Sequence, residues 1–242
     1  MINTNSLKIN NFSYPILKSS NLISQDFYQE FKTEWPNFNN YQTTTAGQTA
    51  RNNIEIKLNN YNYQKIPNVF SKLYNELNSK DFRNFIKDKF INFNLKDIGF
   101  IGNFNTSELV FHIAESKDGY ENPWHVDTRG RIVHFLIYFG DEEIQEGGEL
   151  AIGQHKELDS FLYYKQYPLK KDLEKIEYFK PKNNLGIFIL SQNNSYHKGC
   201  FLKGKRRFIY GAFTNKNGPA WKTENWSMNK NFNERLKEEK LE

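Results

Sequence analysis

The chain has 242 residues, of which 38% are hydrophobic and 16% aromatic, and its formal net charge is +5. This apolar content is enough to build a core, which excludes a globally disordered chain. The charge excess is mild and no block of like charges stands out, so we expect no nucleic-acid partner. The single cysteine, Cys200, excludes an intramolecular disulfide and a cysteine-based zinc site.

The start of the chain carries no apolar segment typical of a secretion signal. No apolar run approaches the roughly 18 residues that a transmembrane helix requires. We therefore expect a cytoplasmic protein that does not insert into a membrane.

Helical patterns dominate the N-terminal part of the chain. Ser24 can cap a first helix, helical spacing of apolar residues returns from Pro67, and Asp81 can cap a further helix. Residues 37–53 are rich in Asn, Thr and Gln, which predicts a loop that ends near Arg51.

Short strands are predicted after Leu95, because brief apolar or alternating runs follow one another between Gly, Asn, Asp and Pro. Such spacing is typical of a β-sandwich or barrel. A basic, helix-prone segment, residues 159–179, interrupts the strands. The clearest runs are Leu109–Ile113, Ile132–Phe139, Glu149–Ile152, Gly186–Leu190 and Arg207–Phe213.

We find no internal repeat and no low-complexity linker, so we predict a single domain over residues 1–242. Residues 1–95 would form a helical and strand-containing support region. Residues 96–214 would form the core, and residues 215–242 a C-terminal tail.

A possible metal site begins with His125 and Asp127, which are two positions apart. On a strand such side chains point to the same face, so both could reach one ion. Imidazole and carboxylate, completed by a further histidine, are the ligands of a mononuclear Fe(II) facial triad. His197, which follows a predicted strand, is the candidate for that third ligand. By itself, a His-x-Asp pair also fits a surface turn with a hydrogen-bonded histidine.

The other histidines and the cysteine have simpler interpretations. His134 lies inside an apolar strand and is expected to be packed there, and His155 is expected in a turn. His112 could line a pocket. Cys200 is expected to be a small buried side chain rather than a reactive thiol.

Four segments of the second half together resemble the Fe(II)/2-oxoglutarate-dependent dioxygenases, especially the prolyl-4-hydroxylase-like branch. They occur in the family's order and with similar spacing: WHVDTRGRIVHFLIYFGD, QEGGELAI, LGIFILSQNNSYHKG and KGKRRFIYGAF. The resemblance spans about Leu109 to Phe213, and the first 95 residues show no equally clear match. It implies a mainly β fold with flanking helices: a double-stranded β-helix (jelly roll, cupin-like) with an α-helical N-terminal layer.

The resemblance also implies roles for particular residues. The family's iron ligands match His125, Asp127 and His197. The family's basic residue, which binds the far carboxylate of 2-oxoglutarate, follows the distal histidine by nine or ten positions. Both Arg206 and Arg207 satisfy this spacing, and the residues that follow favour Arg206. Tyr138 resembles the tyrosine that helps to hold 2-oxoglutarate, although it also fits a plain core position.

The cofactors and the reaction follow from the same resemblance. The implied cofactor is Fe(II), and the implied co-substrates are 2-oxoglutarate and O2. The implied reaction is hydroxylation of an unactivated C–H bond with release of succinate and CO2. Asp127 favours hydroxylation over halogenation, because related halogenases have a small residue at this position. The substrate could be a small molecule, of amino-acid or sugar type, or a prolyl or peptidyl side chain. The oligomeric state is not predicted. Candidate pocket residues are Glu108, His112, Trp124, Arg131 and Arg51.

Two alternatives belong to other functional classes. A non-catalytic jelly-roll binding protein is possible because one fold hosts many functions. A zinc hydrolase could use the same three ligands, but it would lack an obvious general base beside the metal and would leave Arg206 unexplained.

Overall fold

The computed structural model describes residues 1–11, 14–45, 50–93, 104–127, 131–156, 167–191 and 194–215. The α-helices of these segments all precede the strand-rich half, and a short 3-10 helix, Lys170–Asp172, lies within that half. None of them is long and apolar enough to cross a membrane. Their bounds are Gln25–Thr33 (α1), Tyr61–Lys65 (α2), Asn68–Leu77 (α3) and Lys80–Phe90 (α4).

The described strands form one large sheet and two small ones. Their bounds are Lys8–Asn11 (β1), Pro15–Ser19 (β2), Thr43–Thr44 (β3), Arg51–Ile56 (β4), Glu108–Ser116 (β5), Arg131–Phe139 (β6), Ile144–Gly147 (β7), Leu150–His155 (β8), Leu173–Phe179 (β9), Gly186–Leu190 (β10), Tyr196–Gly199 (β11), Leu202–Gly204 (β12) and Arg206–Thr214 (β13). The eight-stranded sheet has the order β1-β2-β10-β6-β13-β5-β4-β3. The three-stranded sheet has the order β11-β8-β9, and β12 pairs with β7.

The outer face of the large sheet packs against the helices. Because side chains alternate along a strand, every second residue of β5 points to this face. Leu109, Phe111 and Ile113 of β5 share a buried cluster with Phe31 of α1 and Phe70 of α3. The apolar faces of the helices are therefore buried against the sheet, as an amphipathic helix requires.

The inner face of the large sheet packs against the three-stranded sheet. The buried cluster between the sheets contains Ala114, Tyr138, Ile187, Ile189 and Phe208 of the large sheet with Leu150, Ile152 and Phe179 of the small one. Two facing antiparallel sheets with helices outside confirm the predicted jelly roll and its helical N-terminal layer.

Four local predictions were wrong. His155, which the sequence places in a turn, is the last residue of strand β8 and pairs with Leu173 of β9. The N-cap of α4 is Ser79, whose hydroxyl accepts a hydrogen bond from the Phe82 N–H, so Asp81 lies in the first turn instead. Arg51 begins strand β4 rather than ending a loop, because β4 pairs with β5. The segment predicted to be helix-prone contains strand β9, Leu173–Phe179, because it pairs with β8. Pairing with distant strands overrides local propensity in these last two cases.

One of the two predicted boundaries between the regions falls outside the described residues. The boundary between residues 95 and 96 lies in the gap between residues 93 and 104. Of the predicted tail, only Asn215 is described.

Phe188 of β10 connects the sheet to the helices, and its truncation is expected to destabilise the fold. The ring is fully buried and lies 5.6 Å from the ring of Phe82 in α4 and 5.6 Å from that of Phe135 in β6. We predict that Phe188→Ala lowers the free energy of unfolding by about 3–5 kcal/mol, measured by urea denaturation. The same change at Phe201, which is 47% exposed, serves as the control and should change it by about 0.5 kcal/mol or less. Equal effects at the two positions would contradict this packing.

Candidate metal centre and co-substrate pocket

Two segments that are far apart in the sequence meet beside the three-stranded sheet. The backbones of His125 and His197 form a β-bridge. The N–H of His125 donates to the carbonyl oxygen of His197 at 3.0 Å, and the N–H of His197 donates to the carbonyl oxygen of His125 at 2.8 Å. Asp127 follows two residues after His125. The ligand atoms of these three residues all lie within 4.8 Å of one another. The structure thus brings together both halves of the predicted triad.

Both histidine rings are oriented by backbone carbonyl groups. Nδ1 of His125 lies 2.8 Å from the carbonyl oxygen of Pro123, and Nδ1 of His197 lies 3.1 Å from that of Ser195. Because a carbonyl oxygen only accepts, each Nδ1 carries the proton and each Nε2 keeps a free lone pair. Two imidazole nitrogens and one carboxylate form a donor set that suits Fe(II) and leaves further coordination positions open.

Arg131 and His134 hold the Asp127 carboxylate in one orientation. Oδ1 accepts a hydrogen bond of 2.8 Å from Nη1 of Arg131. Oδ2 lies 3.3 Å from Nδ1 of His134 and 3.8 Å from Nε2 of His197. The side chain of Asp127 is 10% exposed and that of Arg131 is 40% exposed. One carboxylate oxygen is therefore bound by Arg131, while the other faces the histidines.

Burial and charge set the protonation state of the cluster. Burial, followed by repulsion from a neighbouring histidine, lowers the pKa of His125 and of His197 to about 4. Burial acts to raise the pKa of Asp127, but Arg131 and the surrounding histidines outweigh it and hold that pKa well below its usual range. At neutral pH the cluster presents two neutral imidazoles and one carboxylate, which is the state that metal ligation needs.

His134 lies beside the triad, where sequence reasoning predicted only a packed strand residue. Its ring centroid is 4.6 Å from that of His197, and its Nδ1 is 3.2 Å from the hydroxyl of Ser191. Its buried Nε2 has no hydrogen-bond partner in the described part of the chain. The alternation of β6 could have revealed this position, because His134 must share a face with Tyr138.

A second polar site lies between the sheets, at Arg206 and Tyr138. Arg206 is 2% exposed, its guanidinium carbon lies 5.9 Å from the Tyr138 ring centroid, and its Nη1 donates to the carbonyl oxygen of Gly148. Nε of Arg206 and the hydroxyl of Tyr138 are buried, and neither has a hydrogen-bond partner among the described residues. Burial raises the pKa of Tyr138 to about 12, so the hydroxyl stays protonated and can donate. Two unsatisfied buried donors fit an anion, and a carboxylate can accept from both.

Arg207 points away from this site. It follows Arg206 in β13, so its side chain lies on the opposite face of the sheet. There its Nε is 3.2 Å from Oε1 of Glu115, and its Nη2 is 3.2 Å from Oε1 of Glu143. Of the two candidates for the 2-oxoglutarate anchor, Arg206 is the one whose side chain faces the interior.

The predicted substrate residues occupy different environments. Arg131 is bound to Asp127 beside the metal centre. Glu108 forms an ion pair of 3.0 Å with Lys57. Trp124 is 1% exposed and belongs to a buried cluster with residues of the three-stranded sheet. The structure therefore places Arg131 at the triad and Trp124 in the packing behind it.

We predict that the metal-free protein loses stability as the pH falls from about 6.5 to about 4. Four buried histidines have a pKa lowered from 6.5 to about 4, mainly by burial: His112, His125, His134 and His197. In this window the unfolded chain binds protons that the folded chain does not. Their stabilising effect is therefore complete above pH 6.5 and is lost on acidification. Urea denaturation with a chelator present, at pH 7.5, 6 and 5, measures this loss of unfolding free energy.

His112→Gln is the matched variant for this prediction, because it removes one of the four groups and leaves the triad intact. Between pH 6.5 and 4 it should reduce the slope of unfolding free energy against pH by up to about 1.4 kcal/mol per pH unit. A wild-type protein that is equally stable at pH 7.5 and pH 5 would contradict the assignment of buried, neutral histidines.

Comparisons with known proteins bear on the family. Residues 111–215 match a family model described as the 2OG-Fe(II) oxygenase superfamily. This range contains all three triad residues together with Tyr138 and Arg206. A search of curated proteins finds no match to the chain.

Several solved structures share the fold at low sequence identity. A prolyl-4-hydroxylase from Pseudomonas putida is 13% identical with a TM-score of 0.57, over 84% of this chain and 93% of that chain. An oxidoreductase of the 2OG-Fe(II) oxygenase family from Burkholderia pseudomallei is 12% identical with a TM-score of 0.52, over 84% and 85%. HygX from Streptomyces hygroscopicus, with nickel, 2-oxoglutarate and hygromycin B bound, is 10% identical with a TM-score of 0.51, over 86% and 85%.

The sequence resemblance is thereby confirmed. A family match covers the residues that converge at the candidate metal centre, and the fold around them is the one found in solved oxygenases. Residues 111–215 of the chain are therefore similar to the 2OG-Fe(II) oxygenase superfamily, and the fold agrees with that match.

Proposed function

We propose that this Fe(II)- and 2-oxoglutarate-dependent dioxygenase uses His125, Asp127 and His197 as its iron ligands. The observation that carries the proposal is the convergence of their ligand atoms within 4.8 Å, on a domain that matches the oxygenase family. Both histidines present Nε2 to the cluster, and Asp127 adds one negative charge. This is the donor set of a 2-His-1-carboxylate site with open coordination positions.

When bound, iron and 2-oxoglutarate would supply the hydroxylation of an unactivated C–H bond by O2, of which one oxygen atom enters the substrate and the other enters succinate, with CO2 released. The protein's residues supply position and environment. The Pro123 and Ser195 carbonyl groups orient the imidazoles, and Arg131 holds one oxygen of Asp127. Such partners fix ring orientation and ligand basicity. Asp127 occupies the position at which a small residue would favour halogenation, so we propose hydroxylation.

Arg206 and Tyr138 are proposed to bind the far carboxylate of 2-oxoglutarate. Each contributes a buried polar atom without a partner, and Arg206 already has its Nη1 held by Gly148. A guanidinium positioned in this way binds a carboxylate in a defined orientation. A zinc hydrolase would leave both atoms unsatisfied, which favours the oxygenase.

The substrate is proposed to be a small molecule or a prolyl side chain. Solved structures that share the fold include a prolyl-4-hydroxylase and a protein crystallised with hygromycin B, so the fold by itself does not choose between these classes. Arg131, which is half-exposed at the metal centre, is the best placed of the predicted substrate residues. Glu108 and Trp124 remain predictions.

We predict that His125→Ala and Asp127→Ala each reduce 2-oxoglutarate turnover below detection. Each variant removes one of three ligands, so the remaining two no longer hold the ion in place. Anaerobic calorimetry with Fe(II) should show stoichiometric binding to the wild type and none to the variants. Circular dichroism serves as the control for folding. Full activity in both variants would contradict the metal assignment.

We predict that Arg206→Ala raises the KM for 2-oxoglutarate on the order of 30-fold or more, because it leaves a buried carboxylate without its charged partner. Arg207→Ala is the matched control, since its side chain lies on the outer face with Glu115 and Glu143. It should leave the KM for 2-oxoglutarate nearly unchanged. Succinate formation against 2-oxoglutarate concentration measures both. The reverse ranking would assign the anchor to Arg207.

A further inference from the structure

The inner face of the large sheet carries another group of polar side chains, which we call the Arg51 site: Arg51, His112 and Tyr210. They belong to the neighbouring strands β4, β5 and β13. His112 and Tyr210 are register partners, with ring centroids 4.8 Å apart and planes inclined by 17°. The guanidinium carbon of Arg51 lies 4.9 Å from the centroid of the Tyr210 ring. The three side chains therefore form one cluster.

The cluster contains hydrogen-bonding atoms without partners. Nε of Arg51 and Nδ1 of His112 are both buried and make no hydrogen bond to any residue that the structure describes. Within the described segments, Arg51 forms no ion pair, and Glu55, the register partner of His112 on β4, is exposed. A buried polar atom without a partner costs free energy, and natural folds leave few such atoms. Their presence indicates a ligand.

The surroundings of the cluster are positively charged. Burial, then the charges of Arg131 and Arg51, lower the pKa of His112 to about 4, so both arginines act on the same ring. Arg131 is already bound to Asp127, which belongs to the triad. The charge of Arg51 is therefore left for a ligand, and that ligand should be an anion.

The Arg51 site lies beside the co-substrate pocket. From β13, the pocket of Arg206 and Tyr138 extends towards β6, whereas the Arg51 site extends towards β5 and β4. The ring of Tyr120 contacts both, 5.8 Å from the guanidinium carbon of Arg51 and 4.8 Å from that of Arg206. The interior thus offers two neighbouring positions for anions.

The Arg51 site is also close to the metal centre. Tyr210 precedes Ala212 by two residues on β13, which is about 7 Å along a strand. Ala212 is the register partner of His134, which lies against Asp127 and His197. Arg131, which binds Asp127, also acts electrostatically on His112 and Tyr210, so a ligand held at the Arg51 site by one end would extend towards the metal centre.

We propose that the Arg51 site binds the carboxylate of the substrate, and that the substrate is a small carboxylic acid of about amino-acid size. This inference rests on the proposed function, because it assigns the substrate of the same metal centre. The guanidinium of Arg51 suits bidentate recognition of a carboxylate, with the Tyr210 hydroxyl and the His112 ring as further donors. Arg51 lies outside the segment 111–215 that matches the family, whereas His112 and Tyr210 lie inside it, so the N-terminal part of the chain supplies the charge of the site.

Binding can be measured without turnover, by anaerobic calorimetry on protein loaded with Fe(II) and 2-oxoglutarate. The probes are the free amino acids and, for each, the matching primary amide. At least one acid should bind, and its amide should bind on the order of 30-fold more weakly or worse, because the amide lacks the charge that pairs with Arg51.

Variants test whether Arg51 supplies this discrimination. Arg51→Gln should raise the KM for the acid on the order of 30-fold or more and should leave the KM for 2-oxoglutarate unchanged. Arg207→Gln, which removes the same charge from the outer face, is the matched control and should change neither. Tyr210→Phe keeps the ring and removes only the hydroxyl, so it should cause a smaller rise in the KM for the acid. This variant still tests the site if Arg51→Gln folds poorly. Thermal melting checks the folding of all three variants.

Several outcomes would overturn the inference. These are equal affinity for acids and amides, failure of every acid to bind, binding of prolyl peptides alone, or Arg51→Gln behaving as Arg207→Gln does. A rise in the KM for 2-oxoglutarate in Arg51→Gln would assign Arg51 to the co-substrate pocket instead. Fe(II) binding and substrate-independent succinate formation by the wild type test the proposed function separately. If the wild type binds Fe(II) and forms succinate, the contradicting outcomes above count against the Arg51 site and leave the proposed function standing.

Discussion

The reciprocal backbone hydrogen bonds between His125 and His197 are the constraint on which the metal centre depends. They fix the two backbones side by side, and each imidazole is then oriented by the carbonyl group two residues before it, that of Pro123 or Ser195. The two Nε2 atoms converge because both halves use the same local arrangement. Little of the site's geometry depends on long, mobile side chains, which is what ligand preorganisation requires.

The large sheet separates stability from chemistry by its two faces. Its outer face carries the apolar rings that pack on the helices, and its inner face carries the polar groups of the sites. Strand β13 shows both functions, since Arg206 and Tyr210 point inwards while Ile209 and Phe213 belong to the outer cluster. Gly211 permits this central position, because a Cβ there would lie 2.0 Å from the carbonyl oxygen of Val110.

The electrostatics of the interior favour anions. Arg206, Arg131 and Arg51 bring three permanent positive charges to the inner face, while the four buried histidines have a lowered pKa and stay neutral at pH 7. Asp127 balances one of these charges through Arg131. The remaining two arginines match two anions, the proposed carboxylate ends of 2-oxoglutarate and of the substrate. In a partly buried pocket such pairs are stronger than in water.

The sequence by itself determined the resemblance to the oxygenase family, the jelly-roll class and the three candidate iron ligands, because these depend on short motifs whose order and spacing can be read without knowledge of the fold. It also favoured Arg206 over Arg207. It did not reveal that His134 adjoins Asp127, that Leu173–Phe179 is a strand, or that Arg51 meets His112 and Tyr210. Only the tertiary structure decided these points. They depend on which strands pair and in which register, and that is set by backbone hydrogen bonds between segments far apart in the chain.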